Sequence, residues 1–90
     1  MISYDENKRQ INLKKHNIDL AECAAVFDYP MITKEDTREN YGEQRLQSLG
    51  MLGSAVVFMV WVDKVDRPHL ISVREATKYE QKYYYANIGY

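Results

Sequence analysis

The order of apolar and polar positions divides the chain into a helical first third and a strand-rich remainder. Ile2–Tyr4 forms a short opening strand, and Asp5 supplies an acceptor for the free amides of a helix start. Glu6 to His16 contains no Gly or Pro and reads as that helix. Its apolar residues, Ile11 and Leu13, lie about 200° apart at 100° per residue, so it lacks a core stripe and faces water or a partner. Asn17 suits the left-handed position that ends a helix. Asp19 opens a second helix, with Glu22 three residues on as an acidic variant of a capping box. Leu20, Cys23, Ala24 and Phe27 follow at helical spacing as its core face, and Pro30 stops it.

Beyond Pro30 the pattern changes to strands. Met31–Thr33 is a short one, and Lys34–Glu43 is a charged loop whose only apolar residue is Tyr41. Gly50 and Gly53 bracket a turn, which predicts a hairpin of Arg45–Leu49 with Ala55–Val62. The second of these is apolar throughout and belongs at the centre of a sheet. Asp63–Pro68 turns again, His69–Val73 is the last strand, and Arg74 to about Ala86 is a closing helix. The predicted class is α+β: a short strand, two N-terminal helices, a four-stranded antiparallel sheet and a C-terminal helix, in a single domain over residues 1–90.

Composition adds the scale. Ninety residues hold one domain, with 46% hydrophobic and 28% charged side chains, the balance of a globular chain rather than a disordered one. Such a domain buries about 60–65% of its unfolded surface, so a partner subunit would help it. The single cysteine, Cys23, excludes an internal disulfide and the usual zinc spacings, as in a reducing cytosol. The early acidic residues Asp5 and Glu6 give no sign of a secretory leader, and the unbroken apolar run Ala55–Val62 is too short to span a bilayer. A cytoplasmic protein without membrane contact is expected.

Twelve Lys and Arg against thirteen Asp and Glu leave a net charge of −1, which excludes a uniformly basic nucleic-acid binder. The charges are nonetheless segregated. Asp5–His16 carries a net of +2, Asp19–Glu43 a net of −5, and Lys64–Lys82 a net of +2. In the predicted closing helix Arg74, Lys78 and Lys82 fall within an arc of about 80°, opposite Ala76, Tyr79 and Tyr83. That stripe suits phosphate contact, and it equally suits the solvated face of an amphipathic helix.

Asp5, Lys8, Asn12, Lys15 and His16, followed by Ile18, Ala21, Glu22, Val26, Phe27 and Pro30, resemble the opening signature of the BrnT family, small bacterial ribonuclease toxins. Glu43, Arg45 and Gly50 resemble its acidic residue, arginine and glycine ahead of the central strand. Ile71, Ser72, Arg74, Ala76 and Thr77, then Glu80 and Tyr84, are similar to its C-terminal signature. The resemblance covers nearly the whole chain. Asn17 stands where glycine is usual, Leu20 where phenylalanine and Cys23 where alanine are common, and His69 where arginine is common. The resemblance implies a fold like that of the RelE toxins and a type II toxin–antitoxin pair. It also implies a metal-independent endoribonuclease that cleaves mRNA and blocks translation, neutralised by a BrnA-like antitoxin. DNA would be met only through that antitoxin, and no cofactor is expected.

RNA is cut without a metal when its 2′-hydroxyl attacks the adjacent phosphate. A base must accept the hydroxyl proton, cations must brace the phosphorane oxygens, and an acid must protonate the departing 5′-oxygen. Imidazole can do either proton transfer, and the chain has two, His16 beside Lys15 and His69 near Arg67. Arg45 and Arg74 are candidates for bracing the phosphate through paired guanidinium bonds. The candidate catalytic set is therefore Lys15, His16, Arg45, His69 and Arg74, with Lys14, Arg67, Lys78 and Lys82 as further RNA contacts. Structural readings stand beside these: His16 as a helix-dipole partner, Arg45 paired with Glu43 or Glu80, and Glu80 with Tyr84 as an anchor for the closing helix. Phe58 and Trp61 read as core. Tyr83, Tyr84, Tyr85 and Tyr90 could stack on unpaired bases or form an interface. The competing function is a binding module that keeps the antitoxin grip without catalysis. A metal-dependent nuclease is disfavoured, because the carboxylates cluster in one loop, Glu35 to Glu43.

Overall fold

In the computed structural model, which describes residues 1–88, Asp5 accepts a hydrogen bond from the Asn7 amide and starts helix α1, Glu6–His16. Asn17 ends it in the left-handed region at φ 58° and returns its backbone amide to Leu13. Asp19 caps the next element by accepting from the Ala21 amide. That element is a 3₁₀ helix, Leu20–Asp28, rather than an α-helix. Its apolar period explains the difference: Leu20, Cys23 and Val26 are fully buried at every third residue, and a 3₁₀ helix repeats every three. Val26 thus takes the core place expected of Ala24, which is half-buried like Phe27.

The sheet has five strands, not four, and it is mixed. Its strands are β1 (Ser3–Tyr4), β2 (Ile32–Glu35), β3 (Leu46–Leu52), β4 (Ala55–Asp63) and β5 (Pro68–Glu75), in the order β1-β5-β4-β3-β2. The two-residue β1 lies parallel to β5, pairing Ser3 with His69 and Tyr4 with Leu70, whereas all other neighbours are antiparallel. The departure follows from connectivity. Parallel neighbours need a long crossover between them, and the chain from β1 to β5 supplies one. Gly50 does not belong to a turn. It lies inside β3, where a Cβ would sit 2.8 Å from Val26 Cγ1, so its missing side chain lets the 3₁₀ helix approach the sheet. Gly53 alone makes the turn, at φ +62°.

Alternation along β4 separates two cores. Val57, Met59 and Trp61 face the 3₁₀ helix and pack with Leu20, Cys23, Val26, Leu70 and Val73. Trp61 is buried, donates from Nε1 to Ser48 Oγ at 2.9 Å and meets Phe27 edge to face at 5.0 Å. On the other side, Val56 packs with Leu49, Ala76 and Tyr84, with Phe58 half-buried beside them.

The closing helix α2 spans Lys78–Asn87, four residues later than expected at its start. Arg74 and Glu75 remain in the sheet, in register with Phe58 and Val57, so no Arg74–Lys78–Lys82 helical stripe exists. The start was written in the sequence as Thr77-x-x-Glu80: the Thr77 hydroxyl accepts from the Glu80 amide, and the Glu80 carboxylate accepts from the Thr77 amide. With that phase Tyr84 turns inward, its hydroxyl donating to Pro30 O at 2.8 Å. Tyr79 and Tyr83, expected in the core, are instead 77% and 45% exposed. Among the described residues, no helix is long and apolar enough to cross a membrane.

Candidate functional site

Helix α2 covers only part of its side of the sheet. Beside it runs a groove of about 430 Å³. Leu49 and Phe58 form its floor, Ile32 and Lys34 of β2 one wall, and Tyr79 and Tyr83 of α2 the other.

Arg74 borders this groove through two contacts. Its guanidinium lies over the Phe58 ring at 4.2 Å, and Nη1 and Nη2 donate to the two Glu80 oxygens at 2.8 and 3.0 Å. The second Nη1 proton goes to Glu75 O at 3.2 Å. Five guanidinium donors thus divide unequally. The end of the fork is taken, while the Nε–Nη2 edge has no partner among the described residues. That edge matches two oxygens of a carboxylate or phosphate. Arg74 in turn pulls the Glu80 carboxyl down to about 2, so this acid is ionised at neutral pH and fixed by the α2 cap as well.

His16 reaches the same neighbourhood from α1. The helix is docked by Asn12, whose Nδ2 donates to Val73 O while its Oδ1 accepts from Val73 N, each at 2.9 Å. Nδ2 also donates to Ile18 O, so a side-chain amide completes the ladder where β5 has no strand beside it. One turn on, the His16 imidazole is partly desolvated and feels the positive charges of Lys15 and Arg74. Desolvation first, then those charges, hold its pKa below the ordinary 6.5, so the ring is neutral at pH 7 and able to accept a proton. Lys15 is exposed at its side; Lys14 is exposed too, lining a shallow depression with Gln10, Ile11 and Leu13.

Arg45 and His69 form a second group. Continuing the β3–β4 register by one residue sets Arg45 across from Val62, whose other neighbour is His69. Arg45 and His69 are therefore two strand spacings apart, roughly 10 Å. The Arg45 guanidinium lies 4.2 Å from the centre of the Tyr41 ring and 3.5 Å from Glu43, and its buried Nε has no hydrogen-bond partner among the described residues. His69 Nδ1 shares a hydrogen bond with Ser3 Oγ at 2.9 Å, leaving Nε2 without a partner among the described residues. Phe58 and Val62, the β4 partners of Arg74 and His69, are four residues apart, so the two groups are separated by roughly 13 Å.

The expected site residues thus fall into two clusters rather than one. His16, with Lys15 next to it, feels the charge of Arg74 at one end, and Arg45 and His69 stand at the other. Arg67 is exposed in the β4–β5 turn and pairs with Asp66 at 3.2 Å. Lys78 and Lys82 are exposed on α2 without Arg74 in line. Tyr85 is exposed and Tyr84 is not, while Tyr90 lies outside the described residues. Sequence reading missed the roles of Asn12 and Phe58. An asparagine in the middle of a helix without an apolar stripe was the available signal for the first. Nothing local marked the second, since the β4 run is apolar on both faces.

The set combines a neutral imidazole, two arginines with unfilled donors and an aromatic groove, which together can grip an anion and accept a proton beside it. Among the described residues, no three His, Cys, Asp or Glu side chains converge as a metal site. Residues 4–80 match the model of a family described as the ribonuclease toxin BrnT of type II toxin–antitoxin systems. No curated protein matches the chain.

Proposed function

Because the chain belongs to the BrnT family of type II toxin–antitoxin ribonuclease toxins, with an antitoxin partner and an RNA substrate implied, we propose that it cleaves mRNA without a metal and so blocks translation. The observation that carries the reading is the unfilled Nε–Nη2 edge of a guanidinium fixed by Glu80 and Phe58, whose positive charge His16 feels. Arg74 braces the scissile phosphate through that edge, Glu80 and Phe58 hold the guanidinium still, and neutral His16 takes the 2′-hydroxyl proton. Lys15 adds positive charge for the phosphorane, and its ammonium gives the departing 5′-oxygen its proton as the P–O5′ bond breaks and a 2′,3′-cyclic phosphate is left. Arg45 and His69 engage the strand farther along, His69 through Nε2. Lys14, Arg67, Lys78 and Lys82 make peripheral phosphate contacts. The partner is a BrnA-like antitoxin that covers this side of the sheet, the frame is RelE-like, and the reaction takes place in the cytoplasm.

The second reading, a binding module without catalysis, draws on the distance of roughly 13 Å that removes His69 from Arg74. Expression alone and beside the neighbouring small gene separates the two. Growth arrest rescued by the neighbour, with RNA cleavage that persists in EDTA and is lost in Arg74→Ala, is the expected result. Folded protein that leaves growth and RNA intact would establish the binding module instead.

A further inference from the structure

The groove beside Arg74 contains more aromatic surface than α2 needs. Tyr84 is the tyrosine that anchors that helix to the core, buried and bonded to Pro30 O. Tyr79 and Tyr83, one turn apart, hold no core, and their side chains make no hydrogen bond among the described residues, yet both line the groove. Its floor is apolar, through Leu49 and Phe58, and its open wall carries the Lys34 ammonium. Phe58 and Glu80, which also line it, are the residues that fix Arg74. An anion-gripping edge is thus tied to the floor of an aromatic slot by one ring contact of 4.2 Å.

A nucleotide has this same pairing of groups. Its phosphate is an anion suited to a guanidinium edge, and its base offers an apolar, stackable face one sugar away. A volume of about 430 Å³ admits one nucleoside and not a folded segment. We propose that this groove receives a single unpaired nucleobase of the RNA, adjacent to the phosphate held by Arg74, with Tyr79 and Tyr83 as its stacking surfaces. The assignment rests on the ribonuclease reading above and deepens it: the substrate is single-stranded at the cut, and the two tyrosines hold the base of the nucleotide next to it. Stacking on tyrosine tolerates every base. Discrimination among bases therefore comes from the size of the slot between Ile32 and Tyr83.

The test uses fluorescein-labelled 2′-O-methyl RNA hexamers of A, C or U, whose blocked 2′-oxygen prevents cleavage. Anisotropy with the full chain is expected to show Tyr79→Ala and Tyr83→Ala each weakening binding about 5- to 100-fold, the range for loss of one base–aromatic stack. Tyr79→Phe and Tyr83→Phe retain binding because the ring is kept. Tyr85→Ala, exposed on the same helix outside the groove, leaves it unchanged. Amide NMR shifts at Ile32, Lys34 and Leu49 move on titration. Unchanged affinity in both alanine variants, shifts confined elsewhere, or a groove that responds only to the antitoxin protein would overturn the assignment. Cleavage of unmodified RNA tells the two readings apart. If the chain cuts RNA but the alanine variants cut at the same positions and rates, the groove assignment fails and the ribonuclease stands. Tyrosine-dependent binding by a chain that never cuts RNA supports the groove and defeats the ribonuclease.

Discussion

Asn12 behaves toward Val73 as a strand would: its amide nitrogen donates to the Val73 carbonyl and its amide oxygen accepts from the Val73 N–H, both at 2.9 Å. Removing it leaves buried backbone groups without partners, each worth about 1–3 kcal/mol. Asn12→Ala is expected to lower the unfolding free energy by about 2–4 kcal/mol in urea titrations. Asn12→Asp keeps the acceptor, loses the donor and buries a charge, so it should be no milder. Full stability in Asn12→Ala would show that α1 docks by other means.

Arg74→Lys keeps the charge and loses the fork. A lysine cannot hold Glu80 with two bonds and still present an edge to an anion. RNA cleavage by Arg74→Lys is expected to fall about 100-fold, in line with loss of one transition-state donor, while the circular dichroism spectrum is retained. Cleavage at the parent rate would remove Arg74 from the phosphate site.

Acid should act in two stages. His16 is held below its ordinary pKa in the fold, so the unfolded chain takes up its proton first, and stability declines as pH drops below about 6.5. Glu80, pulled down to about 2, and Asp36, also lowered beside Arg38, contribute stability that is present above the ordinary carboxylate range. That contribution is lost as pH falls from about 4.5 toward their folded values. Urea midpoints measured from pH 8 to pH 3 should hold at the top and then fall in two steps, below about 6.5 and below about 4.5, and His16→Gln should flatten only the upper one. The cleavage rate should likewise rise through a pKa below 6.5, and that limb should vanish in His16→Gln.

Gly50→Ala would press a methyl group against Val26 Cγ1, 2.8 Å away. Overpacking of this kind costs about 1–3 kcal/mol. Adding Val26→Ala should recover part of the loss, giving a coupling energy in a double-mutant cycle. Simple additivity would mean that the 3₁₀ helix shifts freely on the sheet.

Cys23 is fully buried, and burial with the nearby Asp19 and Glu22 pushes its thiol up to about 11. A disulfide reagent should leave it untouched in the native chain at pH 7.5 and titrate one thiol in urea. Rapid native labelling would place the 3₁₀ helix in frequent exchange with an open form.

Local chemistry was legible wherever one residue decides an end. Asp5 and Asn17 bound α1 as their side chains and backbone preferences require, and β4 is central as its unbroken apolar run demands. Long-range pairing was not legible. Nothing near Ser3 names His69 as its neighbour, and the two lie 66 residues apart. Helix periodicity misled at Arg74, whose spacing to Lys78 and Lys82 is helical although its backbone belongs to β5; only Thr77 and Glu80 together disclose the boundary. The candidate site divided for the same reason. Residue types named its members, but only the strand pairing shows that Arg45 comes level with His69 at one end of β5 and not with Arg74 at the other.

That strand order also bears on synthesis. Residues 68–75 are inserted between the first strand and the hairpin, so β1 has no neighbour and Asn12 no Val73 until they arrive. Arg74 then needs Glu80 before its guanidinium is fixed. A ribosome that has delivered the first 67 residues carries a chain in which His16 is not yet docked and His69 is not yet made, and the candidate site is complete only once α2 has begun to emerge. The gap between translation and arming is when the antitoxin that the family implies can meet the chain first.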